Sequence, residues 1–150
     1  MKPRIVVFSI SALAGTLREI ARDYTSSANI ELVPKAYEDA LAIFRKGEFG
    51  AASTAFNDFI KRNPKSGYVL PSLFWLGNAQ YASRSYTSAI NNFNTLLTKA
   101  PNHMRAPESM LSVANCQLEL KEIKAARKTL GDVVKNYPHT EAAAAASERL

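Results

Sequence analysis

From residue 36 onward, apolar residues recur at helical spacing in paired segments separated by short polar turns. Tyr37, Ala40, Leu41 and Phe44 fall on one face of a first predicted helix, and Gly47 punctuates its end. Phe49, Ala52, Phe56, Phe59 and Ile60 fall on one face of a partner helix. That helix should stop near Asn63 and Pro64, because proline has no N–H to continue the ladder. The same pattern predicts a second pair over residues 69–83 and 86–99, a third over 106–120 and 123–136, and a last alanine-rich helix from Thr140.

The pairs are copies of one unit. KGEFGAASTAFNDFIKRNPKS, RSYTSAINNFNTLLTKAPNH and LKEIKAARKTLGDVVKNYPHT follow one another at a constant interval of 37 residues. Phe49, Tyr86 and Ile123 are equivalent, as are Ala52, Ala89 and Ala126, then Phe56, Phe93 and Leu130, then Pro64, Pro101 and Pro138. A fixed period over three copies implies stacked units that bury their apolar faces only against neighbours. Small residues recur in both helices of each pair: Ala40, Gly77 and Ala114 in the first, Ala52, Ala89 and Ala126 in the second. Low bulk at both positions should let the paired helices approach closely, with Phe56, Phe93 and Leu130 filling the groove between units.

Residues 1–35 do not obey the period. Arg4 to Phe8 is a β-rich run, and Ser11 is a potential cap for a helix carrying Leu13, Leu17, Ile20 and Tyr24. Asn29 to Val33, closed by Pro34, reads as a second short strand. The expectation is a strand–helix–strand segment over 1–35 and a repeat domain over 36–150. Two bare strands have open edges, which predicts a homodimer formed through them.

Composition narrows the class. The chain has 150 residues, 47% of them apolar and 21% charged, enough for a packed core and too few charges for disorder. Its net charge of +6 comes from five basic and three acidic residues up to 35, and fourteen basic and ten acidic beyond. The one local concentration, Lys121, Lys124, Arg127 and Lys128, lacks interleaved aromatics and a glycine-rich loop. It reads as a solvated helix face, and no nucleic-acid partner is expected. No apolar run is long enough to span a bilayer. Met1 to Gly15 has the outline of a secretion signal, but its apolar run is short and broken by Ser9 and Ser11. A chain expressed as written is therefore expected in the cytoplasm.

No catalytic constellation appears: Ser9 and Ser11 have no neighbouring base, and no phosphate-binding loop is present. A non-enzymatic protein without cofactors is expected. His103 and His139 lack Cys, Asp or Glu companions at ligand spacing, so no metal site is expected either. The single cysteine, Cys116, is in register with Ala42 and Ala79, which predicts an inert core position. Trp75 reads as packing between adjacent pairs, with a groove anchor as the alternative.

LFWLGNAQY, followed by Tyr86, Ala89, Phe93 and Pro101, resembles the tetratricopeptide pattern of Leu-Gly, Ala, Phe and Pro. The longer unit here, with NPKSGY, FWLG, CQLEL and YPHTEAA, resembles the C-terminal domain of the Tol-Pal system family CpoB/YbgF over residues 36–150. The resemblance implies a mainly α fold, with three tetratricopeptide-like helix pairs and a C-terminal capping helix in a right-handed superhelical array. It also implies a periplasmic adaptor in cell division that meets TolA and a bifunctional penicillin-binding protein. The family's secretion signal and coiled-coil segment have no counterpart here, so its localisation and trimer do not transfer.

In tetratricopeptide domains the first helix of each pair lines a concave groove for peptides. By that resemblance the groove candidates are Tyr37, Leu41 and Phe44, then Phe74, Asn78 and Tyr81, then Leu111, Asn115 and Leu118. Asn78 and Asn115, one period apart, have amides suited to a peptide backbone. Phe74 and Leu111 stand where a carboxylate clamp needs basic residues, so such a clamp is not expected.

KPRIVVFSIS, LREIARDY and NIELV instead resemble the opening of the sensory domain of the propionate-catabolism regulator family PrpR. Two alternatives to the adaptor follow. One is a fragment of a PrpR-type α/β ligand-sensing domain. The other is a recombined or designed chimaera, joined within the helix starting near residue 36, with no native function.

Overall fold

The computed structural model describes residues 27–150, and side-chain surroundings from residue 35 onward. Seven helices make up the described region: α1 Ser27–Arg45, α2 Phe49–Arg62, α3 Val69–Ala82, α4 Tyr86–Lys99, α5 Ala106–Glu119, α6 Ile123–Asn136 and α7 Glu141–Glu148. Two compact units divide the chain, 1–36 and 37–150. The second contains the repeats.

Each helix from α2 to α7 packs on the next, and α5 also touches α3 and α7. Among the described residues the even-numbered helices make no such next-but-one contact. The odd row is therefore the closely spaced inner layer, and the even row fans out behind it. This is a tetratricopeptide-like superhelical arrangement.

Close approach within a pair rests on the small residues. Ala40, Ala52, Ala89, Ala114 and Ala126 are fully buried. Gly77 on α3 lies against the Phe93 ring on α4 so tightly that an added Cβ would sit 2.6 Å from the ring. Phe93 thus packs first against its own partner helix, and also meets Phe74 edge-on at 6.2 Å. It joins Leu73, Leu96, Val113 and Cys116 in one cluster, which carries the core from the second pair into the third. Ala114, Leu130 and Val133 join Ala142, Ala143 and Ala146 in another, through which α7 covers the end of the array. Two serines one period apart, Ser72 and Ser109, are buried among these helices, and their hydroxyls have no hydrogen-bond partner among the described residues.

The turn inside each pair has one backbone form. Gly47, Arg84 and Lys121, spaced by the period, adopt left-handed φ values of 80°, 64° and 65°. Arg84 N–H donates to the Tyr81 carbonyl at 3.0 Å and Ser85 N–H to the Gln80 carbonyl at 2.8 Å. Lys121 to Leu118 and Glu122 to Gln117 repeat this, as do Gly47 to Phe44 and Glu48 to Ile43. These are Schellman caps, which satisfy the last carbonyls of α1, α3 and α5. Between the second and third pairs, the Tyr137 hydroxyl donates to the Pro101 carbonyl at 2.8 Å, tying one closing-proline turn to the next.

One expectation is corrected. Asn29 to Val33, read as a strand, lies inside α1. Ile30 and Val33 stand at helical spacing from Tyr37, Ala40 and Leu41, so they continue the helix's apolar periodicity upstream. A short aliphatic run does not separate strand from helix by itself, and Pro34 does not end this helix. The homodimer expected through strand edges loses one of its two strands. The expected strand at 4–8 and the helix after Ser11 lie outside the described residues.

Candidate functional site

The inner layer carries two clefts. The first, of about 610 Å³, is bounded by Leu41, Phe44 and Arg45 of α1, Gly47 and Phe49 at the following turn, Phe74, Trp75, Asn78 and Ala82 of α3, and Glu108 of α5. Its floor is aromatic. Phe44 meets Phe49 edge-on at 5.2 Å and Trp75 at 5.3 Å, while Trp75 meets Phe74 at 5.1 Å. Edge-to-face contacts of this kind add about 0.5–1.5 kcal/mol each beyond burial, so the floor is a preformed surface.

Arg105, in the turn before α5, is fixed to this floor. Its guanidinium lies 4.8 Å from the Phe74 ring centre and 5.5 Å from that of Trp75. Arg105 Nη1 also pairs with Glu108 Oε1 at 3.2 Å, a half-exposed contact of about 0–1 kcal/mol. The turn itself is held by Arg105 N–H donating to His103 Nδ1 at 3.0 Å. Asn78 donates from Nδ2 to the Phe74 carbonyl one turn back at 3.1 Å, which commits one of its two N–H groups and leaves the other and the amide oxygen for a ligand.

The second cleft, of about 490 Å³, lies between α5 and α7. It is bounded by Met104, Pro107, Glu108, Leu111, Thr140, Glu141, Ala142 and Ala145. Glu108 borders both clefts.

Of the groove candidates, Leu41, Phe44, Phe74 and Asn78 meet in the first cleft, and Leu111 lines the second. Tyr37 is buried within the first pair, with its ring centre 6.1 Å from both Phe56 and Phe59 and 4.9 Å from Tyr68. Burial pushes its phenol pKa up, against the lowering effect of a hydrogen bond with Trp75. Tyr81 packs edge-on against Tyr86 at 5.4 Å, beside the core, and burial raises its pKa as well. The amide oxygen of Asn115 accepts from Arg149 Nη1 at the end of α7, so the chain itself occupies it. Leu118 is half-buried and borders neither cleft.

Trp75 is both a packing residue and a cleft wall. Phe49, Arg45, Arg105 and Glu108 were not among the groove candidates. Phe49 was legible as an apolar repeat position, but its contact with Phe44 depends on the tight turn at Gly47.

Cys116 is buried, and loss of hydration pushes its thiol from 9.0 up to about 11, which suits an inert core position. Lys121, Lys124, Arg127 and Lys128 are exposed, with Lys128 paired to Asp132 at 3.0 Å. Among the described residues no three His, Cys, Asp or Glu side chains gather as metal ligands. None of the described helices is long and apolar enough to cross a membrane.

Paired helices, Schellman turns and an inner row lined by clefts give the second unit a tetratricopeptide-like fold. Residues 80–150 match the tetratricopeptide repeat family. Solved structures share the fold. PcrH of Pseudomonas aeruginosa, in complex with the chaperone-binding region of PopB, superposes with a TM-score of 0.68 at 17% identity, over 80% of this chain and 95% of that one. The Yersinia enterocolitica type III secretion chaperone SycD, in complex with a peptide of the translocator YopD, gives 0.65 at 18% identity, over 79% of this chain and 86% of that one. The second tetratricopeptide domain of human RPAP3, in complex with an HSP70 peptide, gives 0.65 at 11% identity, over 79% of this chain and 95% of that one. At these identities the likeness is one of fold. No curated protein matches the chain.

Proposed function

We propose that this protein is a non-enzymatic scaffold that receives an extended or helical peptide on its inner face, anchored in the first cleft. The observation that carries the reading is the half-exposed aromatic surface of Phe44, Phe49 and Trp75, backed by the buried Phe74 and set beside the Asn78 amide. Such a floor offers apolar burial worth about 25 cal/mol per Å², and one polar group to set the orientation of a backbone. Structural neighbours held in complex with peptides support the reading by analogy of fold.

Within that class the sequence favours the Tol-Pal adaptor reading. The wording of the 37-residue unit supports it, with TolA and a penicillin-binding protein as partners in the periplasm. Labelled segments of TolA and of a penicillin-binding protein, titrated against the chain and an Asn78→Ala/Trp75→Ala variant, test both levels. Binding of either segment that weakens at least tenfold in the variant is expected. Equal affinity for both proteins would remove the cleft assignment, and binding of unrelated apolar peptides alone would remove the Tol-Pal partners.

A further inference from the structure

We infer that the second cleft, between α5 and α7, selects a peptide segment that pairs an apolar side chain with a Lys or Arg. This rests on the reading of the inner face as a peptide groove, and adds the chemistry of the occupant.

Charge complementarity carries the choice. The chain has a net charge of +6, yet the charged side chains that line this cleft are Glu108 and Glu141, with Arg105 of the adjacent turn paired to Glu108. Between them Met104, Leu111 and Ala142 supply an apolar wall, and Met104 stands 85% exposed at its rim. A bare thioether at a cleft mouth is an adaptable contact for an aliphatic or aromatic side chain. Glu108 binds Arg105 through Oε1 alone, which leaves its other carboxylate oxygen for a ligand cation. An acidic segment would place like charges beside both glutamates, at a cost that disfavours it.

A cation of the chain itself meets the same stripe of α5. Glu108, Leu111 and Asn115 lie at helical spacing along one stripe of α5. At the far end of that stripe Asn115 already accepts from the guanidinium of Arg149, just past the end of α7. Asn115 lies outside the cleft's lining, one turn of α5 beyond Leu111 on the same stripe. A basic side chain of the partner would meet Glu108 and Glu141 in the cleft, and one reaching along the stripe would compete with Arg149 for Asn115.

The test is an array of 12-residue peptides with varied apolar cores, each made in three versions whose flanking residues are Lys, Gln or Glu. It is probed with the full chain, with Glu108→Gln/Glu141→Gln, and with Arg149→Ala. Lys versions should bind about two- to fivefold more tightly than their Gln counterparts per charge, more so at low salt. Glu108→Gln/Glu141→Gln should erase that preference while Gln versions bind as before, and Arg149→Ala should strengthen binding of Lys versions. If all three versions bind alike, or Glu versions bind best, the basic preference is wrong and the peptide groove stands. If no version binds, the groove reading falls, and the inference with it.

Discussion

At Gly77 one methyl group decides how closely α3 and α4 can meet. An alanine there gains about 1 kcal/mol of helix propensity, but its Cβ would lie 2.6–2.9 Å from three atoms of the Phe93 ring. Phe93 is fully buried and cannot swing away, so overpacking costs about 1–3 kcal/mol and outweighs the gain. Gly77→Ala is expected to lower the urea midpoint, and Gly77→Ala/Phe93→Leu to recover part of the loss relative to Phe93→Leu alone. A double-mutant cycle with no coupling would show that the two residues do not share the constraint. The equivalent positions carry Ala40 and Ala114, so the close approach varies between repeats by one methyl group.

The helices were legible because each repeats one apolar stripe and ends at a recurring signal. The pairs expected over 69–83 and 86–99, and over 106–120 and 123–136, are found at Val69–Ala82 and Tyr86–Lys99, and at Ala106–Glu119 and Ile123–Asn136. The turns were only partly legible. Gly47 announces a left-handed residue, whereas Arg84 and Lys121 hold the same conformation without the residue that favours it. Both are exposed, and neither side chain packs in the core. Arg84→Gly and Lys121→Gly are therefore each expected to stabilise the fold by about 1 kcal/mol, and Gly47→Ala to destabilise it by a similar amount, in chemical denaturation. Asn29 to Val33 was misread because five residues hold too little periodicity to separate a strand from the upstream end of a longer helix. Arg105 and Glu108 escaped notice because their place at the cleft depends on how α5 leans on α3, which no spacing within one repeat encodes.

Across the second unit the array is quasi-linear: α2 to α7 each touch the next helix, with added contacts only along the inner row. On the proposed reading such an array presents an extended surface to a peptide, which is selected by what lines the inner row. The two clefts divide that surface into an aromatic half around Trp75 and an aliphatic, acid-edged half around Leu111, joined at Glu108. Binding at the aromatic half is directly observable, because Trp75 is the chain's only tryptophan and forms part of that wall. The deciding measurement is Trp75 emission during titration with a peptide that binds by an independent label, repeated with Phe44→Asp. The account predicts a saturable change in Trp75 emission with the same midpoint as the label, lost in Phe44→Asp while the helical circular dichroism is retained. A peptide that binds at full strength with Trp75 emission unmoved, or binds Phe44→Asp equally well, would contradict it.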